Sequence, residues 1–290
     1  MATTITADQV KKLREQTGAG MMECKGALTE ANGDFEEANT ILRKRGLASA
    51  AKKAGRSARE GLIGHRLSGD HSSGMLVEVN CESDFVARTD EFQQLITDVI
   101  DQIEQAGDTA TEAWLTDPDG PVRKRLAAAI AKLGENMAVP RFVRYAGTGY
   151  VGQYIHMGGK IGVQVELGGF TPEIAGRDEL KTLVKEIAMQ IAAASPAYVS
   201  REAVPADVLE KERSIYRAQM ENSGKPANVL DKIVEGKLGS FYKQVVLSDQ
   251  ESIRDPKMNV RDVVDAANKA MGSSLTIRRF ARLKVGEVSS

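Results

Sequence analysis

The chain repeats itself, and the repeat constrains its fold more than any other feature. Residues 74–103, shifted by 88 positions, fall on residues 162–191. Gly74, Val77, Glu78, Ala87, Asp90, Glu91, Leu95, Gln102 and Ile103 then meet identical residues. Average usage would give roughly two identities in such a stretch. Apolar positions correspond as well: Val79 with Leu167, Val86 with Ile174, Phe92 with Leu180, Ile96 with Val184. A second register follows, in which LGENMAVPRFVRY from Leu133 matches MGSSLTIRRFARL from Met271 at a shift of 138. The difference between the shifts, 50 residues, is an insertion in the second copy, placed between a helix ending near Ala194 and one beginning near Val260. Each copy reads strand, strand, helix, helix, strand. In the first copy the strands lie near 62–67, 75–80 and 138–145 and the helices at 90–105 and 122–133. The fold class is therefore α+β: a duplicated unit with helices on one face of a small antiparallel sheet. The first copy takes residues 56–147, the second 148–205 and 256–290, and the insertion 206–255.

The ends of the repeat leave two further units. Thr6 precedes ADQVKKLREQ as an N-cap, with Val10 and Leu13 on one helix face. Thr17-Gly18-Ala19-Gly20 breaks that helix. A second follows with Met21, Cys24, Ala27 and Leu28 at helical spacing, stopped by Asn32-Gly33. Asp34 caps a third, with Phe35, Ala38, Ile41 and Leu42 inward and Gly46 expected as its stop. Residues 1–55 thus hold a three-helix unit, near the lower limit for independent folding, and the start of a helical or flexible linker that runs from Ala48 to Arg59. Lys52, Lys53, Arg56 and Arg59 in that linker read as a solvated stretch or as a nucleic-acid patch. In the insertion, Leu209, Glu212, Tyr216 and Met220 form one stripe, with Val208 and Ile215 beside it. Leu230, Ile233, Val234, Leu238, Phe241 and Val245 form another, after a turn at Ser223-Gly224-Lys225-Pro226. Two such helices make an antiparallel hairpin, which packs on a partner, dimerises or stands as a solvated arm.

Composition matters mainly for what it excludes. Lys and Arg number 39 against 40 Asp and Glu, a net charge of −1, so no basic excess supports broad nucleic-acid binding. No apolar run approaches the roughly 20 residues that span a bilayer. The opening MATTITADQVKKLREQ carries charges where a signal peptide needs an apolar stretch. Cys24 and Cys81 lack CxxC spacing and fit reduced cytosolic thiols. The histidines, His65, His71 and His156, leave little for a metal site, and no HExxH, GxxxxGK[ST] or GxSxG is present. A strand-like stretch, not a helix, follows Gly149, so Gly147-Thr148-Gly149 lacks the dinucleotide-binding context.

Positions at which the copies disagree are freed from the shared fold and available for function. Asp84 falls opposite Pro172 and Phe85 opposite Glu173, while Val86 keeps an apolar counterpart in Ile174. Phe85 therefore serves no core role shared by both copies. SDFVA reads as a loop between strand and helix, so Phe85 either protrudes as a contact or folds back on its own subdomain. Met21 and Met22 are adjacent, so one is expected outside if the other is core, and Met22 is the adaptable contact candidate. His156, on a strand-like stretch opposite Ser68, reads as a surface or internally satisfied residue rather than a ligand.

The stretches LREQTGAGMMECKGALTEANGDFEEA, VEVNCESDFVARTDEF, KLGENM and YIHMGGKIGV closely resemble the bacterial translation elongation factor Ts family, from about Val10 to Gly286. The resemblance implies a UBA-like three-helix N-terminal domain, a duplicated core and an inserted coiled-coil hairpin. It implies a cytoplasmic guanine-nucleotide exchange factor for the GTPase elongation factor Tu, without covalent chemistry, cofactor, membrane or direct nucleic-acid contact. Ser83, Asp84, Phe85 and Val86 match the family's TDFV stretch, associated with dislodging Mg²⁺ from the partner. Lys11, Arg14, Met21, Met22 and His156 match positions that touch the GTPase. Ser83 replaces threonine, losing only a methyl. Gln190 stands where some members have histidine, so that histidine's role does not carry over. The chain ends at VGEVSS where some members continue, so a C-terminal helical contact is expected to be absent. A homodimer or a 2:2 complex stays open. The competing readings are a protein-binding adaptor using the UBA-like domain, and an enzyme with a pocket in the core.

Overall fold

Side-chain caps set the first elements. Thr6 Oγ1 accepts the Gln9 amide at 3.3 Å, while Gln9 Oε1 accepts the Thr6 amide at 2.9 Å, a reciprocal box that opens α1 (Ala7–Thr17). Gly18, at φ +69°, ends it in the left-handed region. Next come α2 (Met21–Glu30) and α3 (Phe35–Lys53), the latter capped by Asp34 accepting the Glu37 amide at 2.8 Å. Val10, Leu13, Cys24, Ala27, Leu28 and Ala38 are buried between the three. The computed structural model describes residues 4–220 and 226–287.

Gly46 does not stop α3, which runs on to Lys53. A glycine inside a helix costs roughly 0.5–1 kcal/mol relative to alanine. Here the residue is buried against a core helix, facing the Ala127 carbonyl and Ala131 Cβ, and that packing offsets the loss. Ala50, a turn further on, joins the core of the first repeat copy. The first half of the stretch read as a linker, to Lys53, is thus the end of α3, and it seats the N-terminal unit on the core.

The first copy contains β1 (Glu60–Leu67), β2 (Ser73–Cys81), the single turn α4 (Asp84–Ala87), α5 (Asp90–Ala106), the short α6 (Glu112–Thr116), α7 (Pro121–Leu133) and β3 (Ala138–Ala146). Its sheet is antiparallel in the order β1-β2-β3. The second has β4 (Tyr150–His156), β5 (Ile161–Gly168), the single turn α8 (Pro172–Ala175) and α9 (Asp178–Ala194). It resumes after the insertion with α12 (Val260–Met271) and β6 (Thr276–Lys284), and its order is β4-β5-β6. The helices cover one face of each sheet. Phe92, Leu95, Val99, Ile103, Leu126 and Ile130 pack with Val77 and Val79 in the first copy. Leu180, Val184, Ile187, Ile191, Val260 and Val264 pack with Val163 and Val165 in the second.

The other faces meet each other. A Cβ on Gly74 would fall 2.5 Å from Gln164 Oε1, and one on Gly162 2.5 Å from Ile63 Cγ2. Gly74 also faces Val151, and Gly162 faces Leu76. The 88-residue shift carries Ile63 onto Val151 and Leu76 onto Gln164, so the contact is reciprocal, as in an isologous dimer. Being covered on both faces, β5 is buried along its whole length and β2 nearly so. Each central strand also carries an inward glutamate opposite an arginine of the third strand. Arg141 Nε donates to Glu78 at 2.8 Å, and Arg279 Nε donates to Glu166 at 2.5 Å.

The insertion is an antiparallel pair, α10 (Ala206–Met220) and α11 (Ala227–Val245). The turn read at Ser223-Gly224-Lys225 lies outside the described residues. Arg213 faces Glu235 and Arg217 faces Asp231, each at 3.6 Å across the pair. No described residue of α10 is buried, while Val234 and Leu238 of α11 are. Where the pair joins the core, Gln190 takes part in a buried network: its side-chain oxygen accepts the Ile253 amide at 2.8 Å.

Candidate partner-binding surface

The turn after β2 is helical rather than a loop. Ser83 Oγ accepts the Val86 amide at 3.3 Å and so caps α4. A single helical turn separates its side chains cleanly. Ala87 is buried and Val86 packs on the first core, whereas Phe85 is 79% exposed. Of the two readings open for Phe85, protrusion is the one found. Asp84 lies beside it, its carboxylate held by Arg88 at 2.6 Å. Thr89 then caps α5, accepting the Phe92 amide at 3.2 Å.

Contacts between elements link this turn to the segments that carry several of the other candidate residues. Lys132, at the close of α7, pairs with Glu91 in the first turn of α5 at 3.1 Å. The same lysine packs beside Gly18, in the turn between α1 and α2. Met21 and Met22 follow that turn, and both are exposed, at 49% and 77%. The expectation that one would be core fails for Met21. Cys24, Ala27 and Leu28 complete the inward face of α2, and Met21 begins the helix beyond the cover of its neighbours. Lys11 and Arg14 lie exposed on the outer side of α1, Lys11 4.0 Å from Glu15. On the other side, Lys160 Nζ donates to Glu60 at 2.6 Å, and Glu60 pairs across the sheet with Cys81, just before α4. That lysine closes the turn after β4, where His156 is exposed with its Nδ1 2.9 Å from the Tyr154 hydroxyl. Met157 beside it is 68% exposed at φ +51°. The spacing of residues gave no reason to single out Met157; the only cue was its place just before two glycines.

The surface is built of protruding groups rather than of titratable groups in a cleft. Among the described residues, Asp70, Glu91, Glu173 and Glu202 have carboxyls held below the usual range. Asp70, Glu173 and Glu202 owe this first to a nearby serine or threonine side chain, and Glu91 to its own amide. Hydrogen bonds of that kind belong to caps and turns, whereas a general acid needs a raised value. No group of three or more metal-ligating side chains occurs among the described residues. No described helix is long and apolar enough to cross a membrane.

A duplicated α+β core with two helical appendages, and with methionine, phenylalanine and histidine side chains left exposed, defines a class of helix-decorated α+β protein. Comparison with known sequences gives the family. The model for elongation factor TS matches residues 82–287. The elongation factor Ts of Trichlorobacter lovleyi is 44% identical over 289 residues, covering 98% of this chain and 93% of its own. That of Aquifex aeolicus is 43% identical over 99% of both chains, and that of Nitratiruptor is 45% identical over 98% of this chain and 93% of its own. The chain belongs to the elongation factor Ts family, and its role lies in translation elongation.

Proposed function

We propose that this protein promotes the exchange of guanine nucleotide on elongation factor Tu, without covalent chemistry of its own. The observation that carries the reading is Phe85. A large apolar side chain left 79% exposed gains nothing for its own fold, and its backbone is fixed in a capped turn. Mg²⁺ joins a nucleotide's phosphates to its GTPase in near-octahedral geometry that tolerates little displacement. A rigid aromatic wedge pushed between elements behind such a site loosens metal and nucleotide together. Asp84 beside it competes for the partner's donors once released from Arg88, and Met21, Met22, Lys11, Arg14 and His156 supply adaptable and charged contacts around it. Binding the nucleotide-free partner tightly and the GDP form weakly is sufficient for exchange, because the coupling between factor and nucleotide is reciprocal. The site acts in the cytoplasm in this reading. Stopped-flow release of labelled GDP from elongation factor Tu tests it. The wild-type chain should accelerate release, and Phe85→Ala should remove most of that effect, the loss in rate reporting the stabilisation the side chain gave to the releasing state. Full acceleration by a folded Phe85→Ala chain would refute the wedge.

A further inference from the structure

Glu135 lies in the Leu-Gly-Glu-Asn-Met stretch between α7 and β3, a motif so far without a task. Its carboxylate reaches the turn that carries Phe85. Oε2 accepts the backbone amides of Glu82 at 3.1 Å and Ser83 at 3.0 Å, and Oε1 accepts the Ser83 hydroxyl at 2.5 Å. That hydroxyl oxygen is the cap of α4. The bonds run back as well: Glu82 Oε1 accepts the Asn136 amide at 2.6 Å, and Asn136 Nδ2 donates to the Arg56 carbonyl at 2.7 Å. Arg56, just beyond α3, donates to Glu82 Oε2 at 2.6 Å. The Cys81 thiol donates to the Ser83 carbonyl at 3.1 Å. Residues 81–83 are thus held from both sides.

The second copy has the same turn without this clamp. Glu135 corresponds to Ser273, whose hydroxyl bonds Asn268 at 2.9 Å instead. Glu82 corresponds to Phe170, which packs on the second core, and Ser83 to Thr171, which makes no capping bond to α8. The scaffold therefore does not need the clamp to form the turn. It is found only where the turn presents an exposed aromatic. Four residues of helix have no stability of their own, since nucleation fixes several residues for one hydrogen bond. Phe85 itself has no core contact to hold it, and charge-assisted bonds to the turn's backbone supply what is missing.

We infer that Glu135 is a positioning residue that fixes the Asp84–Phe85 turn in the orientation needed for nucleotide release; this rests on the exchange reading above. The test compares full-length Glu135→Ala, Glu135→Gln and Phe85→Ala in GDP release from elongation factor Tu. Amide hydrogen exchange is measured on the same proteins. Glu135→Ala should lower the release rate at saturating factor about tenfold, with the half-saturating concentration changed less than about threefold, the split expected of lost positioning. Exchange at residues 82–88 should quicken while α9 stays protected. Glutamine keeps an oxygen for both amides and should restore release to within about threefold of wild type. Wild-type release by Glu135→Ala overturns the inference, as does loosening of the whole core that glutamine does not rescue. If Phe85→Ala is slow and Glu135→Ala is not, positioning alone fails. If Phe85→Ala keeps full activity, the exchange reading falls and this inference with it.

Discussion

The turns after β2 and after β5 occupy the same place in two copies of one unit and use it in opposite ways. In the first copy the aromatic points out at Phe85 and a carboxylate, Glu82, turns into the network beneath. In the second, Phe170 packs inward, edge-on to Tyr150 at a centroid distance of 5.8 Å, and Glu173 stands in solvent. Val86 and Ile174 anchor both turns to their cores. A duplicated scaffold needs only one apolar anchor per turn, and the neighbouring position is then free to become either surface or contact. The difference between the copies thus separates what the fold requires from what was added to it.

The comparison is sharpest at the paired glutamates. Glu78 is 2% exposed and Arg141 donates to it, with the Asn80 side chain and the Gly286 amide as further donors. Glu166 has two arginines, Arg279 and, at 3.3 Å, Arg278. Removing one partner of a buried pair strands the other charge, so Arg141→Met should lower unfolding stability by about 3 kcal/mol. Arg279→Met, with Arg278 remaining and its own side chain half-exposed, should lose only about 1 kcal/mol. Urea melts that gave equal losses would break the argument from redundancy.

A smaller effect separates the aromatics. Phe170→Ala should lower stability by about 2 kcal/mol, less than a fully buried phenylalanine, and leave GDP release unchanged in the folded fraction. Phe85→Ala should leave stability within about 0.5 kcal/mol, the usual range for surface changes. Thermal melts beside the release assay would expose the contrast as false if both variants lost stability alike.

The smallest effect concerns Cys81, whose counterpart is Gly169. Burial, with Glu135 nearby, pushes its thiol up to about 12. The unfolded chain releases that proton near pH 8.5–9, the folded chain only near the raised value. The contribution is therefore complete below about pH 8.5 and fades as pH rises through the interval between the two values. At pH 9.5 the loss should be about 1 kcal/mol, and Cys81→Ala should flatten that part of the stability–pH curve relative to wild type. Parallel curves for the two proteins above pH 9 would show that the thiol titrates normally when folded.

Much of the architecture was legible because it is written in local and repeated pattern. The shifts of 88 and 138 located strands, helices and the interruption, since a duplicated core keeps its apolar positions. Thr6 and Asp34 act within three residues of themselves, so such caps can be read along the chain. Within the repeat, Phe85 stood out because its counterpart, Glu173, is not apolar. The sequence alone left open which way Phe85 points, because a single helical turn is too short to show a period. It misread Gly46, whose helix continues past it and packs there against α7. Met21 was misplaced for a related reason: spacing shows which face a residue shares, not where the covering neighbour ends. Glu135 was invisible as a partner of Ser83, 52 residues away, since nothing in its local pattern marks a long-range hydrogen bond. Pattern along the chain determined the elements and their duplication; which surfaces are covered, which side chain is left outside and what holds it there were decided by contacts between residues far apart in sequence, which exist only once the chain has closed on itself.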